Sequence, residues 1–360
     1  MRKTFNFSAG PAMLPEEVLQ QASHELLDYR GSGQSVMEMS HRSSVYNDIF
    51  QETKTSLKKL VNIPDNYEII FTPGGASALF GMIAQNLMPK KSADYIITGN
   101  FSKKAAQEAR KFGYINIVAS SEDKNFTYIP DVSKIQFNET ADYVHICENN
   151  TIFGTKFKQL PNTNGIPLIA DMSSCYLSEP IDVTQYGMIY GGVQKNIGPA
   201  GVGLSIINKD IIPIEISDNI PTMNRFDTYI DNDSMYNTPP TYTIYMCGLV
   251  FKWLLNQGGL SAIQQKNIKK AQLLYDYIDQ SALFSNPVNK NDRSLMNVPF
   301  VTGDPQLDKK FIKEASNHHL VNLAGHRLVG GMRASIYNAM PFAGVQALVD
   351  FMEKFERENR

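Results

Sequence analysis

Cysteine, excess charge and long apolar runs are all scarce in this 360-residue sequence, and each scarcity removes a class of protein. The three cysteines, Cys147, Cys175 and Cys247, are odd in number and far apart. They make neither a disulfide framework nor a CxxC metal site, so a reduced, cytoplasmic protein without a metal centre is expected. Basic residues number 34 and acidic residues 36, a formal charge of −2. So even a balance predicts no nucleic-acid partner, and any basic cluster reads as a local site. No apolar run approaches membrane-spanning length, and the early cations of "MRKTFNFSAGPAML" lead into no apolar h-region. Neither a membrane span nor a signal peptide is expected. The patterns GxxxxGK[ST], HExxH, GxGxxG and GxSxG are also missing. P-loop nucleotide, zinc-protease, Rossmann and serine-hydrolase chemistry thereby lose their main support.

What is present is an ordinary globular balance, 42% apolar and 19% charged, in a chain long enough for two domains. Its middle alternates short apolar runs with helical patterns, the signal of a βαβ-type sheet. "YEIIFT" and "DYIITG" read as strands, each followed by a helix, "GGASALFGMIAQNL" and "SKKAAQEARKFG", the second closed by Gly113 as its cap. "DYVHICENNT" and "IPLIADMSS" turn polar only at their carboxyl ends, as strands buried on both faces and ending at a site do. Beyond residue 240 come an apolar helix stopped by two glycines, a long amphipathic helix from about Leu260 to Ser281, and a short α/β pattern. The expected fold is α/β. A large sheet domain spans 16–257, a smaller one 258–360, and residues 1–15 pack with the latter.

Three features could carry chemistry. In "FTPGGASALF" a strand runs through two glycines into a helix, either a plain βα turn or an anion site to which Thr72 or Ser77 adds a hydroxyl. Asp171 ends the apolar strand of "PLIAD", where a carboxylate needs a cation or donor, or else is the N-cap of a helix over "MSSCYL". Two His-Arg doublets, His41-Arg42 and His326-Arg327, with Arg333 nearby, suit an anion with two charged ends. Between the last two features stands "YGGVQKNIGPAGVG", which sets Lys195 among glycines. A helix start for phosphate, a carboxylate for a ring nitrogen and a lysine for an aldehyde are together what pyridoxal phosphate requires. The glycines would then leave room for a flat cofactor.

The stretches "FNFSAGPAMLP", "VMEMSHRS", "ADMSS", "YGGVQKNIGPAG", "MYNTPPT" and "GHRLVGGMRASIYNAMP" together resemble the phosphoserine aminotransferases from end to end. These are class V, fold-type I pyridoxal-phosphate enzymes. The resemblance implies transamination of 3-phosphohydroxypyruvate with glutamate, and in bacterial members of a four-carbon phosphorylated oxo acid for pyridoxine synthesis. It makes Lys195 the Schiff-base lysine and Asp171 the pyridinium partner, with Thr151 on the phenolic side of the ring. Ala76, Ser77 and Gln194 would hold the cofactor phosphate, joined by Asn237 and Thr238 from the other chain of a homodimer. Arg42, His41, His326 and Arg327 would take the substrate's distal anion, and Arg333 its α-carboxylate. Two positions depart from the common pattern. Phe101 stands where the stacking tryptophan is usual, and Ala76-Ser77 where Gly-Arg is frequent. A cysteine desulfurase would need a mobile catalytic cysteine, and a plain anion-binding protein would not need the Asp171–Lys195 pair.

Overall fold

The computed structural model describes residues 3–360. The large sheet has seven strands: β2 (Tyr67–Gly74), β3 (Ser92–Ile97), β4 (Tyr114–Ser120), β5 (Val144–Cys147), β6 (Leu168–Asp171), β7 (Met188–Gly192) and β8 (Gly201–Asn208). A two-residue strand β1 (Phe5–Asn6) precedes them. Their spatial order is β2-β8-β7-β6-β5-β3-β4, parallel except for β8, which runs against both neighbours. β5 and β6 are buried at every residue, which explains their apolar reading. β6 ends on Asp171 and the chain leaving β5 carries Thr151, at the carboxyl ends of parallel strands, which open onto a common crevice.

Helices cover both faces. On one side lie α1 (Glu16–His24), α2 (Ser44–Val61) and α6 (Thr241–Asn256). On the other lie α3 (Ala76–Leu87), α4 (Asn100–Ala109) and the short α5 (Phe226–Asp231). Ser43 caps α2 by accepting the Tyr46 N–H at 3.2 Å, and Asn62 closes it in the left-handed region. α6 is nearly all apolar because it is enclosed, with nine buried residues from Ile244 to Leu254. Each large apolar side chain so buried contributes about 1.5–3 kcal/mol.

The long α7 (Gly259–Gln280) begins in the large core, through Leu260 and Ile263, and ends in a separate one through Ala271, Leu274 and Ile278. That second core contains β9 (Asn297–Phe300), α8 (Pro305–Asn317), β10 (Leu320–Val321), β11 (Met332–Ser335) and α9 (Phe342–Asn359). The N-terminal segment joins it. β1 pairs with β10, and Phe7 is fully buried there.

Two sequence readings need correction. α4 ends at Ala109, before Gly113. Gly113 is glycine because a Cβ there would stand 2.5 Å from the Lys91 carbonyl oxygen. Thr72 offers no free hydroxyl, since it is fully buried and donates to the Gly203 carbonyl at 3.2 Å.

Candidate active site

The carboxyl ends of β5, β6 and β7 bring three chain segments together. Past β5, the run Glu148–Thr151 is buried throughout and presents the Thr151 hydroxyl. Past β7, the turn at 193–198 carries Lys195, whose Nζ donates to Thr151 Oγ1 at 2.5 Å. The same ammonium lies 4.8 Å from the centroid of the Phe101 ring, on the first turn of α4. Arg333, on β11, donates through Nη1 to the Thr151 carbonyl at 3.3 Å. Thr151 thus joins the lysine and the arginine, one by its side chain and one by its backbone.

Asp171 closes β6 and is 4% exposed. Its Oδ1 accepts from the Ser173 backbone at 2.9 Å and the Ser173 hydroxyl at 2.6 Å. The segment beyond is a turn rather than a helix, so Asp171 caps a turn with one oxygen. Its Oδ2 has no donor among the described residues. Burial raises the Asp171 pKa, against the opposing pull of Lys195 and Ser173. Burial equally lowers that of Lys195, with Asp171 pulling it back up. Burial thus works against the charged form of both groups, and their mutual attraction works for it.

The glycines around Lys195 have another purpose than clearing a cavity. A Cβ on Gly191 would come 2.9 Å from the Ser173 Cα, and one on Gly198 2.5 Å from Cys247 Sγ. They let the lysine turn pack against the Asp171 turn and against α6. Gly201 has φ +120°, a backbone conformation that side chains resist.

Other sequence candidates lie around this centre. Ala76 and Ser77 open α3 behind Gly75; the Ala78 N–H donates to the Gly75 carbonyl at 3.0 Å, and Ser77 is exposed. Gln194 is half-buried; its carbonyl accepts the Ala12 N–H at 2.9 Å, and its amide lies against Gly192. His326 is held below the usual histidine range by burial, then by the cations Arg333, Arg327 and Lys104. Its Nδ1 accepts the Leu328 N–H at 3.3 Å, which leaves Nε2 as the ring nitrogen without a partner among the described residues. Arg327 is exposed beside it.

His41, Arg42, Asn237 and Thr238 make no hydrogen bond to Lys195 among the described residues. His41 and Arg42 line a cavity of about 540 Å³ with Asn232 and Met235. Thr241 Oγ1 donates to the Val36 carbonyl at 3.4 Å and so holds the two segments together. His41 Nε2 is buried without a partner, while Arg42, Asn237 and Thr238 are exposed.

Sequence reasoning missed two groups. Lys104 sits 6.0 Å from the same Phe101 ring and has no carboxylate partner among the described residues; its only sign was the "KK" after Phe101. The asparagines 149, 150, 196 and 338 are buried around the site, and nothing in their spacing marks them. The thiols of Cys147, Cys175 and Cys247 are buried and pushed up by that burial, which suits packing and not catalysis.

The residues present fit a pyridoxal-phosphate group. Two orphaned groups flank Lys195: Asp171 Oδ2 awaits a donor, and Arg333 Nε is buried without an acceptor. A protonated ring nitrogen would satisfy the first and a carboxylate the second. The chain belongs to the class-V aminotransferases, whose family model matches residues 4–348.

The relatives narrow this further. The phosphoserine aminotransferase of Nitrosomonas europaea is 52% identical, and that of Bacillus cereus also 52%, each over all of both chains. A solved phosphoserine aminotransferase from Bacillus circulans subsp. alkalophilus superimposes with a TM-score of 0.97 at 45% identity, covering 99% of each chain. One from Trichomonas vaginalis, described as bound to PLP, gives 0.93 at 38% identity over 97% of this chain and 99% of that one. Within the class, the phosphoserine aminotransferases are the branch to which this chain belongs. It is an aminotransferase, and its cofactor is pyridoxal phosphate.

Proposed function

We propose that this chain transfers the amino group of L-glutamate to 3-phosphohydroxypyruvate, giving 2-oxoglutarate and O-phospho-L-serine for serine biosynthesis. The observation that carries the reading is the set Lys195, Thr151 and Arg333, joined by hydrogen bonds beside a buried Asp171 with one free oxygen. When bound, the cofactor supplies an aldehyde to take the amino group and a ring to accept electrons. Lys195 Nζ would hold the cofactor through its aldehyde carbon and, once the substrate amine has taken that place, would act as the base that takes the proton from the substrate Cα and as the acid that returns it to the former aldehyde carbon across the nitrogen. Thr151 Oγ1 holds the amine in place. Asp171 keeps the ring nitrogen protonated through Oδ2 while Ser173 fixes its other oxygen. Phe101 would stack on the ring, and Arg333 would orient the α-carboxylate.

The first turn of α3, with Ala76 and Ser77, and Gln194 hold the cofactor phosphate, and Asn237 and Thr238 reach it from the second chain of a homodimer. His41, Arg42, His326 and Arg327 bind the distal anion. Exposed apolar side chains border these segments and support a covering partner: Leu27 is 86% exposed, Met37 56% and Tyr236 49%. We extend the proposal to 3-hydroxy-2-oxo-4-phosphooxybutanoate, an acid with the same two anionic ends, used in pyridoxine synthesis. No described helix is long and apolar enough to cross a membrane, and we place the enzyme in the cytoplasm. We also place the domain junction at Gly258, where φ is +96° between α6 and α7.

The test is steady-state assay of the purified protein with both oxo acids, alongside Lys195→Ala. The variant is expected to fold, retain the cofactor non-covalently and lose transamination. Near-parental turnover by Lys195→Ala would overturn the assignment.

A further inference from the structure

The lysine turn is bound to the rest of the site by more than Thr151. Asn196, next to Lys195 and 6% exposed, donates through Nδ2 to the Tyr176 carbonyl at 2.6 Å. Its Oδ1 accepts the backbone N–H of Asn338 at 2.9 Å. Tyr176 lies in the turn that begins at Asp171, and Asn338 lies just past the strand that carries Arg333. The Asn338 side chain continues the link. Its Nδ2 donates to the Leu177 carbonyl at 2.8 Å, and its Oδ1 accepts from Asn267 Nδ2 at 2.8 Å. Asn267, on α7, also donates to the Ser178 carbonyl at 2.9 Å. The Lys270 ammonium, one turn on, gathers the carbonyls of Ile336, Tyr337 and Met340.

A side chain with one donor and one acceptor so engaged, in a buried place, has no alternative partner. Rotating Asn196 strands the Asn338 N–H and the Tyr176 carbonyl together. Asn196 therefore couples the lysine turn to the Asp171 turn and to the chain just past the Arg333 strand.

We propose that Asn196 is a positioning residue: it fixes the Lys195 turn against the strand bearing Arg333, so that substrate held by its α-carboxylate has its Cα proton within reach of the Lys195 amine. The inference rests on the transamination reading above. Asn196 itself touches neither substrate nor cofactor, and its effect is on the proton-transfer step. Misplacing a reacting group by about an ångström costs up to roughly a hundredfold in rate.

The experiment compares the parent enzyme, Asn196→Ala and Asn267→Ala, using L-glutamate and its α-deuterated form. Both substitutions remove a buried amide from one network, so both are expected to lower Tm. Only Asn196→Ala is expected to reduce kcat, by roughly ten- to a hundredfold, and to raise the deuterium isotope effect as proton transfer becomes limiting. Loss of folded enzyme lowers kcat without changing an isotope effect, so the two explanations separate. A readout independent of the cofactor is amide hydrogen exchange on the apo-proteins, where residues 336–340 are expected to exchange faster in Asn196→Ala than in the parent. If Asn196→Ala yields no soluble protein, Asn196→Ser is read in the same way. A parental isotope effect in the Asn196 variant overturns the proposal, as does unchanged exchange at 336–340. So does an equal rise of the isotope effect in Asn267→Ala, which would make the effect general loosening. A parent enzyme that does not transaminate glutamate would instead overturn the function itself.

Discussion

Asp171 shows how a single residue answers two demands. Its place at the end of a wholly buried strand raises its pKa, yet its proposed function requires it ionised. Ser173 and Lys195 supply the compensation, and with a cofactor bound the ring N–H would add more. Asp171→Asn keeps the shape and an acceptor for Ser173 but cannot hold a proton on the ring nitrogen. It is expected to lower kcat by roughly a hundredfold or more while the cofactor still binds, measured by single-turnover absorbance with glutamate. Activity within a small factor of the parent would reduce Asp171 to a turn cap. The sequence offered both roles as alternatives, and the structure shows that one carboxylate has an oxygen for each. Lys195 and Arg333 could equally be picked out, because a lone lysine among glycines and an arginine just after a pair of them stand out locally. Asn196 was not, since its partners lie 20 and 142 positions away.

At the scale of elements, the strands were legible because β5 and β6 are buried on both faces and, His145 apart, their side chains are apolar up to the carboxyl ends. The helix end at Ala109 and the purpose of Gly191 and Gly198 were not. Each depends on an atom brought close by the tertiary fold, such as Cys247 Sγ on α6. β5 also carries a group that its apolar neighbours conceal. His145 is 1% exposed, stacks on Tyr95 at 4.6 Å and lies 2.8 Å from the Tyr190 hydroxyl, with Nδ1 unpartnered. Burial lowers its pKa to about 3, against about 6.5 for a free histidine. Between those values the unfolded chain binds a proton that the folded chain refuses. Stability contributed by the neutral ring is therefore complete above about pH 6.5 and is lost as pH falls toward 3. Urea unfolding at pH 7 and 4.5 is expected to show the parent losing about 2–3 kcal/mol more than His145→Gln, which keeps a partner for Tyr190 and does not titrate. Equal losses in the two proteins would mean that the ring is protonated inside the fold.

At the scale of the whole molecule, the proposed site residues fall into two groups. One holds Lys195, Asp171, Thr151 and Arg333. The other joins the segment of His41 and Arg42 to that of Asn237 and Thr238, next to exposed Met37 and Tyr236. In a two-fold dimer each group meets the other chain's counterpart, so both sites would be built from two chains. This arrangement predicts complementation between two inactive variants. Lys195→Ala removes the reacting amine, and Thr238→Glu sets a carboxylate against the cofactor phosphate from an exposed position that folding does not need. A mixed dimer of the two would then contain one site with both lesions and one with neither. Random reassociation of equal amounts makes half of the dimers mixed, so about a quarter of parental activity should return. The measurement is turnover before and after the two are unfolded and refolded together, with each refolded alone as control. Recovery near a quarter supports a site shared across the interface. No recovery, with mixed dimers demonstrated by a tag on one chain, would mean that Thr238 serves its own chain's lysine and that each subunit carries a complete site.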